Sequence, residues 1–167
     1  MRRVVSGVAA ALVLAGAASA NPNGAPWGSA DPASPQNCAS CHFDYDPALD
    51  SELLSLNGLP GRVAAGKTYA LSLSLAASDA VIAGFMLSAS AGAFFTEGEG
   101  LEAKGAEVRS AAPVAAGEGA SWRVSWTAPE DLSDDVFFYV AVNGANDDAS
   151  PFGDVVHFKT FEARIEN

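Results

Sequence analysis

The chain has 167 residues, with 9 basic and 20 acidic side chains, a formal net charge of −11 and a hydrophobic fraction of 49%. This length is typical of one domain with its own hydrophobic core, because domains cluster at roughly 100–150 residues. The acidic surface repels phosphate backbones and anionic lipids, which argues against nucleic-acid and membrane-surface partners and favours a partner protein with a basic patch. An acidic surface that only keeps the protein soluble would have the same composition.

The first 20 residues have the pattern of a cleaved secretory signal. Arg2 and Arg3 form a basic start, an apolar run extends over residues 8–14, and the small residues 18–20 form a cleavage site. The apolar run is shorter than the roughly 20 residues of a membrane-spanning helix. The mature chain would keep 7 basic and 20 acidic residues, a formal balance of −13. We expect a periplasmic or secreted protein without a membrane anchor.

Residues 21–50 are predicted to form an irregular arm, followed by one domain at 51–167. The segment 21–37 is dense in Pro, Gly, Asn and Ser, which disfavour helices and central strands. Residues 43–50 again carry turn-forming Asp and Pro side chains. The aromatic residues Trp27, Phe43 and Tyr45 suggest that this arm packs a bound group against the domain.

Both cysteines lie in one segment of the arm, Cys38-Ala39-Ser40-Cys41-His42. In a Cys-x-x-Cys-His segment the two thiols add to the vinyl groups of a haem and the adjacent imidazole binds its iron, so this spacing is the signature of c-type haem attachment. We predict one covalent haem c, held by thioethers from Cys38 and Cys41, with His42 as the axial iron ligand.

Other uses of this motif fit the sequence less well. A structural zinc site needs four ligands, and outside the motif only His157 adds a His or Cys to the chain. A thioredoxin-like redox pair begins a helix behind a parallel sheet, whereas this segment lies in a Pro-rich arm. A simple disulfide between the two cysteines is the remaining alternative.

The domain is predicted to consist of short strands. A first strand is expected at Ser51–Leu56, and period-two alternation predicts a half-buried strand at Tyr69–Leu75. Further strands are expected at Ala83–Ala89 and Gly92–Phe95. The Gly-, Glu- and Ala-rich segment 96–120 is predicted to be a long loop with one or two weak strands, one of them at 107–109.

Stronger patterns follow in the last third of the chain. Trp122–Trp126 places two indoles and a valine on one face of a strand, and Val136–Val142 is a continuous run of β-branched and aromatic residues, typical of a central strand covered on both faces. Residues 143–148 are predicted as a loop and Val155–Ile165 as the last strand. No segment has sustained helical periodicity, so we predict an all-β, Ig-like antiparallel sandwich preceded by the haem-carrying arm.

The sixth iron ligand stays open at this point. Met or a second His is usual in electron carriers, which makes Met86 and His157 the candidates. The less usual candidates are Lys67, Lys104, Lys159 and the Tyr side chains. An open sixth position, or an unidentified ligand, is the alternative.

A polar cluster in the second half has oxygen atoms of the kind that Ca²⁺ binds. Its members are Asn143, Asn146, Asp147, Asp148 and Asp154. Their spacing fits no defined calcium loop, so we interpret the cluster as a solvated turn.

Several stretches together resemble the Reeler-like β-sandwich domain. They are Leu59-Pro60, Gly66–Tyr69, Gly84–Leu87, Trp122–Pro129 and Val136–Tyr139 with Asn143. With Asn23–Pro26 and the Cys-x-x-Cys-His segment ahead of them, the chain looks similar to bacterial exported proteins of the choice-of-anchor V type. The resemblance implies a Reeler-like sandwich and supports the haem, but that family has no well-defined activity.

The chain departs from that family in two ways. Members often carry a His on the strand before the Trp element, and this chain has none between Gly92 and Ser121. Many members end in an anchoring tail, whereas this chain stops soon after Ile165. We therefore carry over no iron ligand from that strand and expect a free protein.

The favoured function is one-electron transfer by a monohaem c-type cytochrome-like protein, which is not an enzyme and docks on a basic patch of a redox partner. A haem-based sensor or binder of NO, CO or O₂ is one alternative. A peroxidase-like enzyme with Arg109 or Arg123 above the iron is another, and a Reeler-like interaction module with an accessory haem is a third. The sixth position of the iron discriminates among them.

Overall fold

A computed structural model describes residues 23–76 and 78–166. The predicted secretory signal at 1–20 lies outside the described residues. The described elements are one 3-10 turn at Cys38–Ser40 and eleven β-strands. The strands are β1 (Leu54–Asn57), β2 (Arg62–Val63), β3 (Thr68–Leu75), β4 (Ile82–Ala89), β5 (Ala93–Phe95), β6 (Leu101–Lys104), β7 (Glu107–Ser110), β8 (Val114–Ala115), β9 (Ala120–Thr127), β10 (Val136–Ala145) and β11 (Val155–Ile165).

The strands form two sheets that pack into a sandwich, as predicted. The four-stranded sheet has the order β1-β3-β9-β5. The seven-stranded sheet has the order β2-β11-β10-β4-β7-β6, and β8 pairs with β4 beside this path. Apart from the parallel pair β2–β11, the strand pairs are antiparallel. The all-β class and the Ig-like arrangement of two facing antiparallel sheets are thereby confirmed.

Alternate side chains of the facing strands build the core. β3 buries Tyr69, Leu71, Leu73 and Leu75, and β9 buries Trp122, Val124 and Trp126. The seven-stranded sheet adds Phe85, Leu87, Phe138, Val140 and Val142. The rings of Trp126 and Phe138 meet edge to face with centroids 4.9 Å apart, so the two sheets interlock at these side chains. The predicted alternation at 69–75 and 122–126 is confirmed.

The weak strand predicted at 107–109 is confirmed as β7, but the prediction of a loop for most of 96–120 is wrong, because β6 and β8 also lie in this segment. Gly105 has φ +59° and forms, with Ala106, a two-residue turn between the paired residues Lys104 and Glu107. β6 lies at the edge of its sheet, and its last three residues are exposed. An exposed edge strand needs few large apolar residues, so this segment has a loop-like composition.

Two further boundaries differ from the prediction by three residues each. β10 continues through Ala145, so Asn143 and Gly144 belong to a strand and not to the predicted loop. β1 begins at Leu54 rather than at Ser51, because the N–H of Leu54 closes a turn onto the carbonyl of Ser51. The last strand has the predicted bounds, Val155–Ile165.

The arm covers part of the outer face of the seven-stranded sheet. Cys38 and Ala39 pack on Ala141, Val156 and Phe158, which point away from the main core. The central strand β10 is therefore covered on both faces at this point, as its unbroken apolar run predicts. Within the residues that the structure describes, no helix has the length and apolarity needed to cross a membrane.

Candidate functional site

The Cys-x-x-Cys-His segment forms one compact turn. The carbonyl of Cys38 accepts hydrogen bonds from the N–H groups of Cys41 and His42, at 3.3 and 3.2 Å. Residues three and four positions apart lie on the same side of a helical turn. Consistent with this, Cys38, Cys41 and His42 line the same groove.

The first cysteine is fixed more tightly than the second. The N–H of Cys38 donates to the carbonyl of Ser29, and its Sγ lies 3.6 Å from the Ser29 hydroxyl. Burial raises the pKa of the Cys38 thiol, and the hydrogen bond with Ser29 opposes this effect only in part. Cys41 is exposed, and both cysteines are free thiols. The turn therefore offers two thiols from a position that is attached to the sheet.

The imidazole of His42 is held by two residues of the sandwich. Its Nδ1 lies 2.6 Å from Oδ2 of Asp154, which is 1% exposed. The same carboxylate oxygen accepts a hydrogen bond of 2.9 Å from the Asn143 side-chain amide. A carboxylate is an acceptor, so this geometry assigns the proton of the neutral ring to Nδ1 and leaves the lone pair on Nε2. Nε2 has no hydrogen-bond partner among the described residues, and it is the nitrogen available to a metal.

A groove of about 690 Å³ runs alongside this turn. Its walls come from the arm, the start of β4, the segment after β7, and the loop between β10 and β11. Apolar contributors include Pro26, Ile82 and Pro113. Cofactor pockets span about 300–1,000 Å³ and are mostly apolar, so the groove has the volume and lining expected for a cofactor of the haem class.

The residues present fit a c-type haem by the chemistry of the donor set. Two free thiols stand at the required spacing, and the next residue has a free Nε2 and an engaged Nδ1. Metal-binding histidines almost always donate their second ring N–H to a carboxylate, carbonyl or water. The structure thus brings together the three predicted site residues, Cys38, Cys41 and His42.

His157 lies on the opposite face of the sheet from His42. It is paired with Val142, one residue away from Asn143, and successive side chains of a strand point to opposite faces. Its Nδ1 lies 3.0 Å from the hydroxyl of Ser51, and burial lowers its pKa. The structure therefore does not bring the two histidines together.

The other candidates for the sixth position also lie outside the groove, within the described part of the chain. Met86 is fully buried in β4 opposite Ala141. The three lysines lie near aromatic rings: Lys67 over Tyr69, Lys104 over Trp27 and Lys159 over Phe161. None of these side chains is among the described residues of the groove.

The two arginines considered for a distal role serve other contacts. Arg109 binds the carbonyl of Ala25, the carboxylate of Glu102 and the ring of Trp27. Arg123 lies on the four-stranded sheet and lines a separate depression with Phe95.

The polar cluster of the second half separates into two groups. Asn143 and Asp154 belong to the His42 site, whereas Asn146, Asp148 and Ser150 bond to one another in a turn. The backbone N–H of Ser150 is the main cause of the lowered pKa of Asp148. Across 23–76 and 78–166 there is no group of three His, Cys, Asp or Glu side chains that could hold a metal ion. The interpretation as a turn therefore holds for Asn146 and Asp148 and is wrong for Asn143 and Asp154, which contact His42.

The three aromatic residues of the arm differ in how far they are packed against the rest of the protein. Trp27 packs against Arg109, in line with the expectation. Phe43 and Tyr45 are 55% and 57% exposed, and their packing against a bound group stays a prediction. Phe43 instead contacts Phe152 in the β10–β11 loop, with ring centroids 5.8 Å apart.

Comparisons with known proteins bear on the fold. No protein-family model and no curated protein matches the sequence. Among solved structures, the Reelin-N domain of F-spondin is similar with a TM-score of 0.57, at 17% identity over 77% of this chain and 97% of that one. A human F-spondin reeler domain fragment has a TM-score of 0.53, at 17% identity over 74% of this chain and 95% of the other. A second human fragment has a TM-score of 0.51, at 19% identity over 72% and 96% of the two chains. At these identities the likeness shows the fold alone, and the chain has the fold of a Reeler-like β-sandwich.

Proposed function

We propose that this is an exported monohaem c-type cytochrome-like protein that transfers single electrons. One observation carries the proposal: Cys38, Cys41 and His42 share one wall of a haem-sized groove, and the ring of His42 is already fixed with Nε2 free. The predicted secretory signal and the resemblance to choice-of-anchor V proteins support export and haem attachment. The F-spondin likeness does not decide function, because one fold serves many functions.

The chain's residues have distinct roles in this proposal. Cys38 and Cys41 would hold the haem through thioethers, and Nε2 of His42 would bind its iron. When bound, the haem supplies the one-electron chemistry, and the protein supplies attachment, orientation and electrostatics. Ser29 fixes the position of Cys38, and Asp154 fixes the plane of the His42 ring.

The rim of the groove suits a basic partner. Residues 21–61 and 124–158 contain no Lys or Arg, and these two segments supply the arm and the β10–β11 loop. Asp147 and Asp148 line the groove, and Phe43 and Phe152 stand beside it, 55% and 52% exposed. Acidic groups steer a basic partner during encounter, and exposed aromatic rings give a contact that breaks easily. We therefore propose a redox partner with a basic docking patch.

Electron transfer to a basic acceptor tests this function. Haem-loaded, reduced protein is mixed with an oxidised basic cytochrome c in a stopped-flow instrument. We expect rapid oxidation that slows as salt rises, and a slower reaction for the double variant Asp147→Lys, Asp148→Lys. Glu97→Lys, Glu99→Lys changes the net charge equally at two exposed positions in the loop after β5, so it is the matched control and should react as the wild type does. Slow transfer that is indifferent to salt would contradict the proposal.

Binding of a small neutral ligand is a second candidate function. It is favoured because neither candidate for the sixth iron ligand lies in the groove. His157 lies on the opposite sheet face, and Met86 lies outside the groove. Addition of CO to the reduced protein separates the two functions. A low-spin spectrum that CO leaves unchanged supports a filled sixth position and electron transfer, whereas a shift with CO supports ligand binding.

A further inference from the structure

We propose that Asp154 and Asn143 are positioning residues for His42: they hold its imidazole as the Nδ1–H tautomer and strengthen Nε2 as an iron ligand. The proposal rests on the proposed haem site and goes beyond it, because it assigns two residues outside the Cys-x-x-Cys-His segment. Asp154 lies 112 positions after His42 in the chain.

The three side chains come from three different segments. His42 belongs to the arm, Asn143 to β10, and Asp154 immediately precedes β11. Because β10 and β11 are paired along their length, Asn143 and Asp154 are fixed to the sandwich. The Asn143 amide nitrogen lies 2.9 Å from Asp154 Oδ2 and 3.2 Å from His42 Nδ1. The ring of His42 is therefore oriented by the rigid part of the molecule and not by the arm alone.

The buried side chain of Asp154 lowers the stability of the folded protein. Its carboxylate is 1% exposed, and the second oxygen, Oδ1, has no hydrogen-bond partner among the described residues. A buried carboxylate destabilises the folded protein unless hydrogen bonds or an opposite charge compensate it. Nδ1 of His42 and the Asn143 amide compensate only Oδ2. The buried carboxylate of Asp154 is explained if its negative charge orients the His42 imidazole and strengthens Nε2 as a ligand.

The expected chemical effect follows from the charge. A carboxylate that accepts a hydrogen bond from Nδ1–H makes Nε2 a stronger electron donor to a metal. A stronger donor stabilises the oxidised, more positive iron relative to the reduced iron, which lowers the reduction potential. The proton stays on Nδ1, and no bond is formed or broken.

The first arm of the test uses the protein without haem. In ¹⁵N-histidine spectra, His42 of the wild type should be in the Nδ1–H form. Asp154→Ala should lose this preference, and the isosteric Asp154→Asn should weaken it. Asp147→Asn removes the same charge from the groove wall without touching His42, and it should leave the tautomer unchanged. Thermal unfolding of each variant verifies that it is folded.

The second arm measures the reduction potential of the haem-loaded variants. Asp154→Asn should raise the reduction potential more than Asp147→Asn does. Each tenfold loss in the stability of the oxidised relative to the reduced haem raises the potential by about 59 mV. Equal potentials and an unchanged tautomer in folded Asp154→Asn would overturn the proposal. If the tautomer responds as expected but no variant binds haem, the positioning of His42 is supported and the haem function is contradicted.

Discussion

The guanidinium carbon of Arg109 lies 4.5 Å from the centre of the Trp27 ring. Nη1 of the same side chain donates to the carbonyl of Ala25, and Nε and Nη2 bind the carboxylate of Glu102. A strand residue of the seven-stranded sheet thus holds the start of the arm, and the groove has its wall at Gly24–Pro26 because of this contact.

Arg109→Met should loosen the arm while leaving the sandwich folded. It removes the bond to Ala25 and the cation–π contact with Trp27, of which the latter alone is worth about 0.5–1 kcal/mol at an exposed site. Limited proteolysis should then cut within residues 23–37 several times faster than in the wild type. Arg164→Met, which loses only an exposed pair with Glu162, is the control. Equal cleavage rates in the two variants would show that Arg109 does not hold the arm.

The two thiols should differ in reactivity in the protein without haem. Cys41 is exposed, whereas burial raises the pKa of Cys38 and lowers its thiolate fraction. A disulfide reagent at pH 8 should therefore react several times faster with Cys38→Ser, which keeps Cys41, than with Cys41→Ser, which keeps Cys38. In urea the two rates should converge. A faster reaction of Cys38 in the folded protein would contradict the burial described here.

Stability should fall in mild acid because of His157. Burial lowers its pKa below the ordinary value of 6.5, so the unfolded chain takes up the proton first. The stabilisation by neutral His157 is complete above about pH 6.5 and is lost as the pH falls toward the lowered pKa, at a slope of at most about 1.4 kcal/mol per pH unit. His157→Gln can keep a hydrogen bond to Ser51 without titrating, and its unfolding free energy should change less between pH 6.5 and 5. Identical pH profiles would exclude this role.

Gly58 is the glycine whose replacement should cost most in the β1–β2 connection. It has φ +87°, and a Cβ there would lie 2.1 Å from the carbonyl oxygen of Ala70. Gly58→Ala should therefore destabilise the protein by at least about 1–3 kcal/mol. Gly61→Ala, where a Cβ meets nothing within 4 Å, should change stability by less than about 0.5 kcal/mol. Urea unfolding measures both, and equal costs would contradict the described turn.

The fold was predictable where alternation is strong. Tyr69–Leu75 and Trp122–Trp126 bury every second side chain, and that pattern needs no tertiary information. β7 was predicted as a weak strand, but its hairpin partner β6 was missed because an edge strand exposes most of its side chains. Asn143 was misplaced in a loop because Asn-Gly usually marks a turn. Its polar side chain is accommodated in β10 by Asp154.

The candidate site was predictable only in part. Cys38, Cys41 and His42 form a local motif, so their spacing carries the prediction by itself. The contribution of Asp154 depends on the pairing of β10 with β11 and on the path of the arm, and no sequence spacing encodes a contact over 112 positions. For the same reason, the sequence could not tell that His157 lies on the opposite sheet face from His42.

We propose above all that Cys38 and Cys41 hold a haem covalently. The most direct measurement is the intact mass of protein produced with a c-type haem assembly system, together with haem staining after denaturing electrophoresis. We predict a mass increase of one haem and a stained band. Both should be lost in Cys38→Ser, Cys41→Ser and kept in the neighbouring control Ser40→Ala. An unmodified mass and an unstained band for the wild type would contradict the account.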